Sequence, residues 1–233
     1  MSTVFIISAP SGSGKSTLVN ELRKIVTGLE FSISYTTRPP RGSEQNGREY
    51  FFVPRAEFDE MVGKGELLEH AEVFGNCYGT AKRFLREAEQ KGNDLLLDID
   101  VQGAQQVKKK IPDAVSIFVL PPNRDKLEWR LRHRGLDSKD VIERRLVTAS
   151  REIENYDKYD YILVNDRLEQ AVDELRAIVL SERLRRAGEK PSSHDTRILE
   201  TAERCRLANV RERVQPILQS FKRGRGAILG DGG

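Results

Sequence analysis

The chain has 233 residues, 38% apolar and 32% charged, with 39 Lys and Arg against 36 Asp and Glu. That length carries the core of one or two domains, and no apolar run approaches the roughly 18–20 residues that a membrane span needs. A net charge of +3 gives no ground for a nucleic-acid partner. The two cysteines, Cys77 and Cys205, fit no disulfide or metal pattern, which points to a reducing cytoplasm. A strand pattern that begins by Thr3 leaves no room for a secretory signal, so a cytoplasmic location is expected.

Thr3 to Ser8 is a short apolar, β-branched run that predicts a fully buried strand. Ala9-Pro-Ser-Gly-Ser-Gly14 follows as a glycine-bearing loop, and Lys15-Ser-Thr-Leu-Val19 opens a helical pattern that Gly28 ends. Strand, loop and helix in this order are the context of a P-loop. Backbone N–H groups of Ser11, Gly12, Ser13, Gly14, Lys15, Ser16 and Thr17 would converge on the phosphates of ATP. Lys15 would reach the outer phosphates and the Ser16 hydroxyl would hold Mg²⁺. Ala9 stands where the pattern asks for glycine, and its methyl group is small enough to be tolerated.

Phe31 to Ser34 alternates like a strand. Arg38 and Arg41 then flank a Pro-Pro pair that stiffens the backbone between them, a fork suited to a dianionic phosphate. Tyr50 could add a hydroxyl donor. Taken alone, such a loop is more often a solvated turn. It does not stand alone: Thr36-Thr37-Arg38, Arg41, Glu44, Gly47, Tyr50 and Phe52, together with the Ser8–Thr17 form of the cradle, resemble the guanylate kinase family, bacterial type.

The resemblance covers about residues 3–185. It implies a P-loop α/β fold of three layers, α/β/α, with a parallel central sheet, a small β-rich GMP-binding insertion and a helical lid. By that division residues 1–32, 82–122 and 154–186 form the core, 33–81 bind GMP, and 123–153 are the lid. Pro54 to Val62 reads as a short helix, and Leu67 to Thr80 as a strand pair turning at Gly75-Asn76. A guanine edge presents two adjacent donors, N1–H and the 2-amino group. A fixed carboxylate accepts both and rejects adenine, whose N1 is an acceptor. Glu69 is the matching residue, with Ser34 and Thr80 serving the rest of the edge and Tyr78 joining Arg38, Arg41 and Tyr50 on the monophosphate. Outside that context Glu69 would read as an ordinary strand carboxylate.

Phe84 to Gln90 is helical, and Leu95-Leu-Leu-Asp98-Ile-Asp100 is a buried strand ending in two carboxylates. The resemblance sets Asp100 near guanine and ribose, and Asp98 near Mg²⁺ through water; an acidic helix cap before Val101 is the other reading. Ser116 to Leu120 is a further strand, Asn123 caps a helix, and arginines then recur at turn spacing. Similarity to the guanylate kinase lid sets Arg130, Arg134 and Arg145 at the transferring phosphoryl group. Asn165, after the strand Tyr159–Val164, becomes an adenine-side contact, and Leu168 to Leu184 packs as a helix.

Beyond residue 186 the chain changes character. Residues 187–193 are a linker, 197–221 a helical stretch that Pro216 should kink or end, and the last ten residues are expected to be flexible. From Arg183 onward the net charge is +6. This extension could pack on a second copy of the chain, touch nucleic acid weakly, or be disordered. The expected reaction is ATP with GMP or dGMP giving ADP with GDP or dGDP. A non-catalytic binding module on the same fold and a kinase for a phosphorylated sugar are the rivals. The first would carry a damaged cradle, and the second would not need Ser34, Glu69 and Thr80.

Overall fold

A computed structural model describes residues 2–133, 138–188, 191–193 and 195–226. The first strand, β1 (Val4–Ser8), is wholly buried, and helix α1 (Lys15–Ile25) follows the loop, burying Leu18, Val19 and Leu22 on one face. Strand β2 covers Leu29–Phe31, so it starts earlier and stops sooner than the Phe31–Ser34 alternation suggests. Short strands β3 (Tyr35–Thr36) and β4 (Phe51–Phe52) bracket the arginine loop, and α2 (Arg55–Gly63) starts behind Pro54. Strands β5 (Leu67–Val73) and β6 (Asn76–Ala81) form a hairpin. Its turn residues are Phe74 and Gly75, both at positive φ (51° and 76°), one position before the expected Gly75-Asn76.

Helix α3 (Lys82–Lys91), strand β7 (Asp94–Asp98) and helix α4 (Val101–Lys110) come next, then β8 (Val115–Leu120). Helices α5 (Arg124–His133) and α6 (Lys139–Ile153) precede β9 (Tyr161–Val164) and the long α7 (Leu168–Ala187). The extension holds two helices, α8 (Thr196–Arg204) and α9 (Arg211–Gly226). Among the described residues, no helix is long and apolar enough to cross a membrane.

Contacts divide the chain into two compact units, residues 1–7 with 27–116, and 8–26 with 117–233. In the first, β2 and β1 both pair in parallel with β7, at Phe31↔Leu96 and Phe5↔Leu96. The same unit holds a four-stranded sheet in the order β4-β3-β6-β5. Phe58 and Met61 of α2 pack with Leu67, Cys77 and Ala81 beneath that sheet.

In the second unit β8 and β9 pair in parallel, and α7 buries Ala171, Leu175, Ile178 and Val179. The extension departs from the single helical stretch read from the sequence. Its break falls at residues 205–210, not at Pro216, which α9 runs through. Backbone pairing explains the break: Ile162 N–H donates to the Cys205 carbonyl (2.8 Å), and Leu207 N–H to that of Asp160 (3.1 Å). The edge of β9 is covered in this way. The expected flexible end lies outside the described residues, except for 224–226 in α9.

Two buried carboxylates on α7 tie the extension down. Glu182 accepts from the Tyr161 hydroxyl and from Arg185, and Arg206 reaches it at 3.4 Å while lying over the Tyr161 ring. Arg213 reaches Glu174 at 3.1 Å. Burial, then Glu174, pushes the Cys205 thiol up to about 12, so it stays a protonated packing group.

Candidate active site

The phosphate cradle of the second unit is held by its own backbone. Ser13 N–H donates to the Pro10 carbonyl, and Leu18 N–H to that of Gly14, both at 3.1 Å. Gly12 and Gly14 sit at φ +95° and +88°, a region closed to most side chains. Space is also lacking: a Cβ on Gly12 would lie 2.8 Å from Leu131 Cδ2, and one on Gly14 2.4 Å from Asn165 Nδ2. Half-buried Lys15 and the exposed Ser16 and Thr17 form the first turn of α1, the end at which a helix dipole draws anions. Ser11 is half-buried beside Gly12, and the Ser13 hydroxyl is buried with no hydrogen-bond partner among the described residues.

Two side chains grip the Ser13 carbonyl. Asn165 Nδ2 donates to it at 2.7 Å and Arg130 Nη1 at 3.3 Å. Arg130 Nη2 also donates to the Asn165 carbonyl at 2.9 Å, and the Asn165 N–H donates to Leu120 at 2.8 Å. Asn165 and Arg130 are thus brought together at the loop itself, with Asn165 buried. Arg145 is half-buried on α6, and Arg134 lies outside the described residues.

The first unit brings the remaining predicted residues into two adjoining groups. Arg38 is buried although charged, and Glu44 answers its charge: both carboxylate oxygens accept from Nη2 at 2.9 Å. The Arg38 Nη1 donates to the Pro39 carbonyl at 2.7 Å, and its guanidinium lies 5.4 Å from the Tyr50 ring centre. Glu44 also accepts the Arg41 backbone N–H at 2.7 Å, which sets both arginines of the fork. The rings of Tyr50 and Tyr78 meet edge-on at 5.9 Å. Burial, with Asp98 adding its charge, pushes the Tyr50 hydroxyl well above its ordinary value, so it serves as an O–H donor. Asp98 ends β7 and is half-buried.

Glu69 anchors the other group. It is 3% exposed and opposite fully buried Thr80 across the β5–β6 ladder; Ser34, buried, stands just before β3. Burial first, and the neighbouring Asp100 charge after it, push the Glu69 carboxyl up to about 7, against hydrogen bonding by Thr80 and the charge of Lys110. Asp100 also caps α4, its Oδ1 accepting the Gly103 N–H at 2.8 Å, so the helix-cap reading holds alongside its place beside Glu69.

Three further features have no counterpart in the sequence reading. Glu44 has no assigned role there, although a carboxylate six residues from Arg38 across two prolines was the available signal. Gly103 is a second: a Cβ there would lie 2.4 Å from Glu69 Oε2, so the carboxylate rests on bare helix backbone.

The third is a side-chain ladder on β5, the edge strand. Gln102 donates to the Glu72 carbonyl (3.4 Å), and Gln106 donates to that of His70 (2.6 Å) while accepting the His70 N–H (3.2 Å). Lys110 donates to the Leu68 carbonyl. Four helix residues rise about 6 Å and two strand residues about 6.6 Å, so the rungs stay in step. The residues on either side of Glu69 are pinned as a result.

A glycine-lined cradle at a helix start, closing a buried strand, defines a P-loop nucleotide-binding protein of the α/β class. A guanylate kinase family model matches residues 1–182. The chain is 66% identical over 223 residues to a guanylate kinase of Koribacter versatilis, covering 94% of this chain and 96% of that one. It is 47% identical over 198 residues to the guanylate kinase of Escherichia coli strain K12, covering 84% and 95%. A crystal structure of guanylate kinase from Anaplasma phagocytophilum superposes with a TM-score of 0.65 at 35% identity, covering 78% of this chain and 87% of that chain. This chain belongs to the guanylate kinase family.

Proposed function

We propose that this protein transfers the terminal phosphoryl group of ATP to GMP, and to dGMP, by direct in-line displacement. The carrying observation is Glu69, a buried carboxylate at the edge of a sheet with Thr80 opposite it and the charge of Asp100 acting on it. A base with two adjacent donors supplies what such a group lacks, whereas adenine would set an acceptor against it. Arg38, Arg41, Tyr50 and Tyr78 take the monophosphate, which leaves the segment 33–81 as the GMP-binding part. The intact Gly14-Lys15-Ser16 supports a catalyst over a binding module.

The attacking oxygen belongs to GMP and is ionised at neutral pH, so no general base is required. The chain's residues hold and orient two anions and offset their repulsion. Lys15 and the α1 N-terminus take the outer phosphates of ATP, and Arg130, Arg134 and Arg145 of the lid, 123–153, add charge at the transferred group. Asn165, on the core part 154–186, keeps its adenine-side reading and also holds the loop through Ser13. Mg²⁺ supplies further charge neutralisation when bound with the nucleotide. The exposed Ser16 hydroxyl and, through water, Asp98 are the hard oxygen donors that would hold it.

A coupled assay of ADP release tests this reading. ADP should appear when GMP is added and not when AMP replaces it. Lys15→Ala should lower kcat by roughly three orders of magnitude with the circular dichroism spectrum unchanged. Equal rates on AMP and GMP, or near-normal turnover in the variant, would remove the assignment.

A further inference from the structure

We infer that helix α9 of the carboxy-terminal extension is a positioning element for the ATP cradle, acting through Ser220 on the first turn of α5. The inference rests on reading residues 11–17 as the seat of the ATP phosphates.

The contact is specific in its donors and acceptors. Arg124 opens α5, so its backbone N–H has no partner within the helix. That N–H donates to Ser220 Oγ at 3.0 Å, across 96 positions of sequence. The Ser220 hydroxyl proton is spent on the Ile217 carbonyl at 2.7 Å, which turns a lone pair of the oxygen toward α5. Asn123 Oδ1 takes the Lys126 N–H at 2.8 Å. One end of α5 is therefore fixed twice, once from its own cap and once from the extension.

The middle and far part of α5 bear on the cradle. Leu127 and Leu131 are fully buried, and both would collide with any Cβ on Gly12, at 3.0 and 2.8 Å. Arg130, between them, holds the Ser13 carbonyl and the Asn165 carbonyl. A helix is stiff along its axis, so a displacement at Arg124 is carried to Leu127, Arg130 and Leu131 rather than absorbed on the way. The cradle works by aiming backbone N–H groups at phosphate oxygens, and small errors in that aim are costly.

The extension is built to hold α9 in place. Val210, Val214, Ile217 and Phe221 recur at helical spacing and are all buried, and α9 packs on α5 and α6. Arg213 to Glu174 and Arg206 to Glu182 anchor the extension on α7, so α9 presents Ser220 from a fixed base.

The test compares Ser220→Ala, Ser220→Thr and Phe221→Ala in the full-length chain, with KM measured separately for ATP and GMP and binding of ADP measured by calorimetry. Ser220→Ala should raise KM for ATP and Kd for ADP on the order of threefold, and Phe221→Ala about tenfold, with KM for GMP unchanged. Ser220→Thr, which restores the hydroxyl, should return both constants toward wild type. Wild-type nucleotide constants in Ser220→Ala, or an equal rise for ATP and GMP, would reduce α9 to a stabilising strap. Should Phe221→Ala fail to fold, the serine pair decides alone. A wild-type enzyme that releases no ADP with GMP would instead defeat the reading of the site, a separate result from a flat Ser220 series.

Discussion

Glu69→Gln should make the ligand-free protein more stable at pH 8 while weakening its hold on GMP. The carboxyl is pushed up from 4.5 to about 7, chiefly by burial. At about 1.4 kcal/mol per pH unit, this displacement corresponds to about 3 kcal/mol, an upper figure because buried carboxylates relax. The native state binds the Glu69 proton more tightly than the unfolded chain does. Stability from this group is therefore whole below about pH 4.5, is lost as pH rises to about 7, and stays lost above. Glutamine has nearly the same outline and no charge to desolvate, so the variant should escape the loss. Urea unfolding followed by circular dichroism at pH 5, 6, 7 and 8 measures it. The advantage of Glu69→Gln over wild type should grow by up to about 3 kcal/mol across that range.

GMP binding provides the second half of the same prediction. Guanine's two donors call for the ionised carboxylate, so apparent affinity should fall about tenfold per pH unit below 7 in the wild type. The nucleotide phosphate also titrates near pH 6, but it does so equally in the variant, so the ratio of the two affinities isolates Glu69. A wild-type to variant difference that is flat with pH in both unfolding and binding would refute the account of this carboxylate.

Glu44→Gln removes the charge that answers a buried guanidinium, and should cost roughly 1–3 kcal/mol by thermal unfolding and raise KM for GMP about tenfold; an unchanged KM would show that the fork is set without it. Gly103→Ala sets two effects against each other. Alanine should favour helix α4 by about 0.5–1 kcal/mol, yet its Cβ would stand 2.4 Å from Glu69 Oε2 and must push the carboxylate aside. KM for GMP should rise about tenfold while the melting temperature holds or increases, and a normal KM with GMP still preferred over AMP would contradict this.

What could be read in advance was whatever depends on neighbours in sequence. The cradle was legible because strand, glycine loop and helix must follow one another for backbone N–H groups to converge, and Gly12 and Gly14 do adopt the left-handed φ values that the loop demands. The Asn123 cap was legible for the same reason, its acceptor standing three residues from the N–H it serves. Asp100 was legible as a helix cap, and the cap is there, its Oδ1 taking the Gly103 N–H while its charge acts on Glu69. Where local patterns competed, the tertiary pairing decided. Ser34 reads as the end of an alternating strand, but its carbonyl accepts from Phe51 N–H at 2.9 Å, which draws the chain toward β4 instead of along β2.

The elements that could not be read are those in which one partner contributes only backbone. The Gln102, Gln106 and Lys110 rungs look like any solvated helix face, since their acceptors are carbonyls of Glu72, His70 and Leu68 and carry no residue identity. Ser220 is harder still. It is one small hydroxyl in an amphipathic stretch interrupted by proline, and its partner is an amide whose side chain, Arg124, is turned to Glu128 at 3.1 Å. Neither stretch signals the other. The spacing of Val210, Val214, Ile217 and Phe221 does say that α9 must be buried against something, and α5 needs an acceptor beyond Asn123 at its first turn. Together those two unmet needs make a docking of the extension on α5 and α6 the economical solution, and only the three-dimensional arrangement identifies the serine that makes it.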